Sequence, residues 1–152
     1  MKKTILAILV CGFIVLGLTG CGTVKNEFEV GKESTIEQKT GDVTLTLKEG
    51  SLTNTGAIFI LKNNGNISYG YGPAWEIEIK QDDKWHKIDV LLNFNSPSYQ
   101  LSVNESKELN INWENSYGKL ASGEYRLIKH IDIEKDDGTF EDFYVSAEFT
   151  IE

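Results

Sequence analysis

The chain divides into one unbroken apolar block and a long region in which apolar and polar positions alternate with a period of two. From Asp42 onward, Val43, Leu45 and Leu47 alternate with Thr44, Thr46 and Lys48, and Trp75, Ile77 and Ile79 alternate with Glu76, Glu78 and Lys80. Leu109, Ile111 and Trp113 alternate with Asn110 and Asn112. Tyr125, Leu127, Ile131 and Ile133 share one parity, as do Phe143, Val145, Ala147, Phe149 and Ile151. Trp85, Ile88 and Val90 mark a further segment, and Ala57–Leu61 is a continuous apolar run suited to a central strand. Successive side chains of a strand point to opposite faces, so each segment predicts a strand that buries one face. Clusters rich in Gly, Asn, Asp and Ser at 50–56, 63–66, 81–83, 93–98, 115–118 and 136–138 predict the turns between them. No helical period competes after the apolar block, and about seven short strands over residues 42–152 predict an all-β sandwich.

The apolar block, Thr4–Leu18, follows Met1-Lys2-Lys3 and runs into Leu18-Thr19-Gly20-Cys21, the form of a bacterial lipobox. Residues 1–20 are therefore expected to be a lipoprotein signal peptide and Cys21 the acylated first residue of the mature chain. More than one acyl chain makes a stable anchor, each buried methylene adding about 0.8 kcal/mol of membrane affinity. This implies a partner in the membrane itself and a location on the extracytoplasmic face of the bacterial cell membrane. A transmembrane reading is disfavoured, because the block is shorter than the roughly 20 residues a spanning helix needs and no basic stop-transfer cluster follows. Cys11 lacks a small residue before it for cleavage. Residues 21–41 are mostly polar and are expected to be a tether, with a short strand around Phe28–Val30.

Loss of residues 1–20 leaves 132 residues, one domain's worth, and takes the formal charge from −8 to −10. So acidic a domain is not drawn to nucleic acid. It also retains no cysteine besides Cys21, which excludes a disulfide, a Cys-based metal site and a Cys nucleophile. Asn66-Ile67-Ser68 and Asn104-Glu105-Ser106 match the N-glycosylation pattern, but the lipobox argues for a bacterium, where that pattern usually means nothing.

Leu120-Ala121-Ser122-Gly123-Glu124-Tyr125 has the Leu-x-x-Gly-x-Tyr form of a tyrosine corner. In Greek-key sandwiches such a tyrosine buries its ring and bonds its hydroxyl to backbone a few residues upstream. Leu120, Gly123, Tyr125 and Trp75 are the expected structural residues, with Trp75 on the strand where related sandwiches bury a tryptophan. Leu127 stands where a disulfide cysteine would be. The run Tyr117-Gly118-Lys119-Leu120-x-x-Gly-x-Tyr125-Arg126-Leu127-x-Lys129 resembles the hallmark of bacterial immunoglobulin-like domains of secreted and lipid-anchored Gram-positive proteins. Thr55-Gly56-Ala57, Asn63-Asn64, Tyr71-Gly72, Asp83-x-Trp85, Asn112-Trp113 and Ala147–Ile151 are similar to that family as well. The resemblance spans residues 42–152 and implies an immunoglobulin-like Greek-key sandwich without a disulfide. It brings no catalytic residues with it.

Little in the sequence suggests chemistry. His86 and His130 fall on outward parities with no third ligand, so no metal or other cofactor is expected. The acidic run Asp132–Asp142 fails the spacing of a helix–loop–helix calcium loop, which needs Gly sixth and Glu twelfth, and reads as a solvated turn at Asp137-Gly138. Glu76 and Glu78 share a strand face as a glycosidase pair might be placed, but an outward face predicts solvent contacts for them. No nucleophile elbow, zinc-protease motif or phosphate loop is present. Tyr69, Tyr71, Trp85, Tyr99 and Tyr117 lie in or near loops, with Asn63, Asn64, Asn66, Asn93 and Asn95 beside them. Of these, Tyr69, Tyr71, Trp85 and Tyr99 are the candidate binding residues. The expected function is a non-enzymatic protein-interaction or adhesion-type module whose partner is an envelope protein or glycan. A small-ligand or glycan-binding lipoprotein is the alternative, and a hydrolase stands third.

Overall fold

A computed structural model describes residues 26–37 and 41–152. Among the described residues ten strands and one helical turn follow in order: β1 (Glu29–Glu33), β2 (Val43–Leu47), β3 (Gly56–Asn63), β4 (Tyr69–Tyr71), β5 (Trp75–Gln81), β6 (Lys84–Asp89), β7 (Tyr99–Leu101), β8 (Ser106–Asn112), α1 (Glu114–Tyr117), β9 (Gly123–Glu134) and β10 (Phe140–Ile151). They form two sheets with antiparallel pairing throughout. The smaller is β2-β3-β8 and the larger is β1-β6-β5-β9-β4-β7, with β10 added along β9. β10 pairs with β9 from Phe140↔Glu134 to Ile151↔Gly123. The other edge of β9 is shared by β5, at Trp75↔Lys129 through Ile79↔Tyr125, and by β4, at Gly70↔Asp132. Residues 72–74 interrupt what would otherwise be one long strand there.

The period-two positions meet between the sheets. Leu45, Phe59, Leu61 and Ile111 of the small sheet face Ile77, Tyr125, Leu127, Ile131, Val145 and Phe149 of the large one, all buried. The T-shaped pair Phe59–Phe149, at 5.9 Å, joins the two layers. Burial of such apolar surface, at roughly 25 cal/mol per Å², is what holds the layers together. Tyr125 is fully buried and its hydroxyl donates to Ala121 O at 2.9 Å. Leu120 beside it is buried. A Cβ on Gly123 would stand only 3.3 Å from the Tyr125 ring, so glycine leaves the ring room at the corner.

Three features depart from the strand-by-strand reading. The first is the count, since the short strands β4 and β7 lack enough residues for a visible period, whereas β1 overlaps the short strand expected around Phe28–Val30. The second is the residue expected to fill the core. Trp75 packs against the core but stays half-buried, stacked on Tyr117 at 5.9 Å, whereas Trp113 is fully buried, stacked on Phe149 at 5.4 Å, its indole N–H donating to Asn54 O at 2.9 Å. The third concerns the polar segment expected to act as a tether, whose described part is docked on the domain. β1 pairs with β6. Asn26 reaches the tyrosine corner, where its Oδ1 accepts from Ala121 N–H at 2.8 Å and its Nδ2 donates to the Tyr125 hydroxyl at 3.1 Å. Cys21 lies outside the described residues.

Candidate functional site

The gap at residues 72–74 opens a slot between the two sheets. Its volume is about 390 Å³, and Tyr71, Trp75, Phe94, Tyr99, Lys129 and the stretch 108–111 of β8 line it. Tyr71 and Tyr99 face each other across β4 and β7, ring centroids 5.4 Å apart; Tyr71 is buried and Tyr99 is 48 % exposed. Phe94, from the segment between β6 and β7, meets the Trp75 ring edge-on at 5.6 Å. On the other side of these two rings a smaller recess of about 250 Å³ lies against Glu76, Ile128, His130 and Tyr144. Burial there pushes the Glu76 carboxyl above its ordinary range.

Lys129 is the unexpected member of the slot. It lies on the inward parity of β9, between Leu127 and Ile131, and is 2 % exposed. Its ammonium donates to Gly72 O and, at 2.7 Å, to Ala74 O, and stands 5.6 Å from the Tyr71 ring centre. Those carbonyls belong to the strand break, and the lysine supplies the donors that an unbroken ladder would have supplied. Burial pushes the ammonium down to about 8, because a low-dielectric site disfavours the charged form.

The structure brings together two of the four aromatic candidates. Tyr71 and Tyr99 share the slot. Tyr69 is buried against Phe143 at 5.7 Å with its hydroxyl donating to Asp42 at 3.2 Å. Trp85 sits on β6 under the Arg126 guanidinium, 4.8 Å from the ring centre. Tyr117 is buried, its hydroxyl accepts from Ile77 N–H at 2.9 Å, and burial pushes it up to about 12. Asn63 is fully buried and used within the fold: its amide donates to Ile67 O at 2.7 Å and Ser102 O at 3.0 Å and accepts from Gly65 N–H at 2.8 Å.

Glu78 does not make the solvent contacts that alternation predicted for it. It is fully buried, paired with Arg126 at 2.6 Å, and accepts from the Ser34 hydroxyl. Arg126 also reaches Ile36 O at 3.4 Å. Residues 34–36 cover this outer face, so a parity that would be wet in an isolated sandwich is dry here. His86 approaches Gly31 O at 3.3 Å, and His130 bonds Asp142 at 2.9 Å. Asp137 spends its carboxylate on the Thr139 N–H at 2.9 Å and hydroxyl at 2.6 Å, with Gly138 at φ 76° completing the turn. Among the described residues no three His, Cys, Asp or Glu side chains gather as a metal site.

Sequence reasoning missed Lys129 and Phe94. The signal for Lys129 was available, since a lysine at an inward parity of β9 breaks the apolar pattern; Phe94 carried none, because it belongs to an irregular segment. No curated protein and no solved structure matches the chain. A family model described as a bacterial Ig-like domain matches residues 38–150. With the two antiparallel sheets and the fully buried Tyr125, that match over most of the chain makes this protein a member of the bacterial Ig-like domain family.

Proposed function

We propose that this protein is a non-enzymatic binding module of the bacterial cell envelope, anchored through lipid on Cys21, that holds a partner in the slot beside β8. Family membership points to an interaction or adhesion-type module. The observation that carries the reading is the slot itself, an opening between the sheets walled by Tyr71, Trp75, Phe94 and Tyr99, where a sandwich core would otherwise close. Aromatic rings around a concave site offer large contact area at low entropic cost. The docked N-terminal segment supports display at a membrane. Only residues 22–25 separate Cys21 from Asn26, so the tyrosine corner would stand within roughly 18 Å of the lipidated residue. A sugar is the alternative occupant, because the half-exposed Tyr99 ring in the slot offers a surface on which a pyranose could stack.

The test is photo-cross-linking on intact cells that carry the full-length protein, with the photoreactive residue at Tyr99 and, separately, at Phe140, which is 61 % exposed on the β9–β10 hairpin. The expected result is a discrete envelope component linked from position 99 and none from position 140. Cross-links from neither position refute a binding role. Cys21→Ser should move the protein out of the membrane fraction, and continued retention would refute the lipid anchor.

A further inference from the structure

Two walls of the slot carry unmet polar capacity. Lys129 is one. Its ammonium has three donors, of which Gly72 O and Ala74 O take two, and among the described residues no carboxylate pairs with it. Arg126, the other buried cation of β9, has Glu78. A buried charge with no counter-charge is unfavourable, and an arriving anion relieves it.

The second wall is the free edge of β8, which among the described residues pairs with β3 alone. Asn63 N–H donates to Glu105 O at 2.9 Å, in register with Asn112↔Gly56 and Ile111↔Ala57. In an antiparallel pair the bonded positions alternate. Residues 107, 109 and 111 therefore exchange bonds with β3, and Glu108 and Asn110 turn their N–H and C=O groups away from it, on the stretch of β8 that lines the slot. One wall is an unfilled strand ladder; the other ends in a cation.

We propose that the slot binds the C-terminal end of an extended peptide. Its main chain pairs with Glu108 and Asn110, its terminal carboxylate meets Lys129, and its last side chain packs among Tyr71, Trp75 and Tyr99. Strand addition at a sheet edge uses main-chain bonds for affinity and a side-chain pocket for selection. Charge narrows the class of occupant. The slot offers one unbalanced positive charge inside a domain of formal charge −10, which suits a single carboxylate on an otherwise neutral chain and repels polyanions. A volume of about 390 Å³ admits one large side chain and the residue that bears it. This inference rests on the binding-module reading and gives its partner a chemical class.

The test is titration of the detergent-solubilised full-length protein with N-acetyl-Ala-Ala-Phe as the free acid and as its C-terminal amide, followed by calorimetry and by the fluorescence of the wall residue Trp75. The acid should bind at least about tenfold tighter than the amide, as a charge-assisted bond requires. Lys129→Met should erase that preference. Asn110→Pro, which removes an N–H facing the slot and no ladder bond to β3, should weaken both ligands by about tenfold or more. Equal binding of acid and amide, no binding of either, or an unchanged affinity in Asn110→Pro overturns the proposal. If either variant fails to fold, the acid–amide comparison on the unaltered protein still decides. Failure here with cross-links retained at position 99 removes the peptide terminus and leaves the binding module standing.

Discussion

Lys129→Met should remove a rise of stability with pH that the buried ammonium builds into the fold. In the folded chain, burial holds the Lys129 ammonium at about 8, against 10.5 when the group is free. Below pH 8 both states are charged, and the folded state bears the whole desolvation cost. Between pH 8 and 10.5 the unfolded chain holds more protons than the folded one, so stability rises with pH. With these two values the gain from pH 7.5 to 9.5 is about 2 kcal/mol, because each unit of separation between the states is worth about 1.4 kcal/mol. Burial raises the titration of Tyr69, Tyr71, Tyr117 and Tyr125, which lowers stability only above about pH 10, outside this window. Methionine removes the titration and leaves Gly72 O and Ala74 O without donors, a loss of about 1–3 kcal/mol for each group that water fails to reach. The assay is urea unfolding at pH 7.5 and 9.5, followed by tryptophan fluorescence, on the unlipidated chain. The unaltered protein should gain stability at the higher pH and Lys129→Met should stay flat. A flat unaltered protein, or a rise that survives the substitution, would show that the ammonium is not held in a dry site.

Two further outcomes follow from the packing. Arg126→Ala strands the fully buried Glu78 and should cost about 3–5 kcal/mol by urea unfolding, with much of the loss recovered by the double replacement Glu78→Leu with Arg126→Met; a single-variant loss under about 1 kcal/mol would mean that water already reaches the pair. Trp113→Ala should cost about 3–5 kcal/mol, and more than Trp75→Ala in the same assay, because Trp113 is fully buried and Trp75 borders the open slot; the reverse order would refute the assignment of Trp113 to the core.

The alternation read along the chain carries directly into the sheets, because inward parity depends on local backbone geometry. Tyr125, Leu127, Ile131, Val145 and Phe149 needed nothing but a period of two to be placed inside. The tyrosine corner was legible for a related reason: its glycine, its ring and its backbone acceptor lie within five residues of one another. The outer face was not legible in this way. Glu78 and Arg126 occupy the solvent parity of their strands, and their burial depends on residues 34–36, about 45 and 90 positions away in the chain. Nor could periodicity separate Trp75 from Trp113, since both fall inward and only the gap at 72–74 exposes one of them.

What this sequence determines by itself is therefore its strand pattern, its corner, its acidity and the absence of thiol chemistry from the folded domain, all of them properties of composition or of residues near one another. What only the tertiary structure decided is which aromatics meet. Tyr71 joins Tyr99, while Tyr69 and Trp85 turn to other partners. The structure also placed a lysine in the lining of a slot that is lined as well by β8, whose second edge pairs with no strand among the described residues. The physical reason is the range of the interactions: a strand's two faces are set by each residue's own dihedral angles, but a cavity is the space left where segments distant in sequence fail to close on one another.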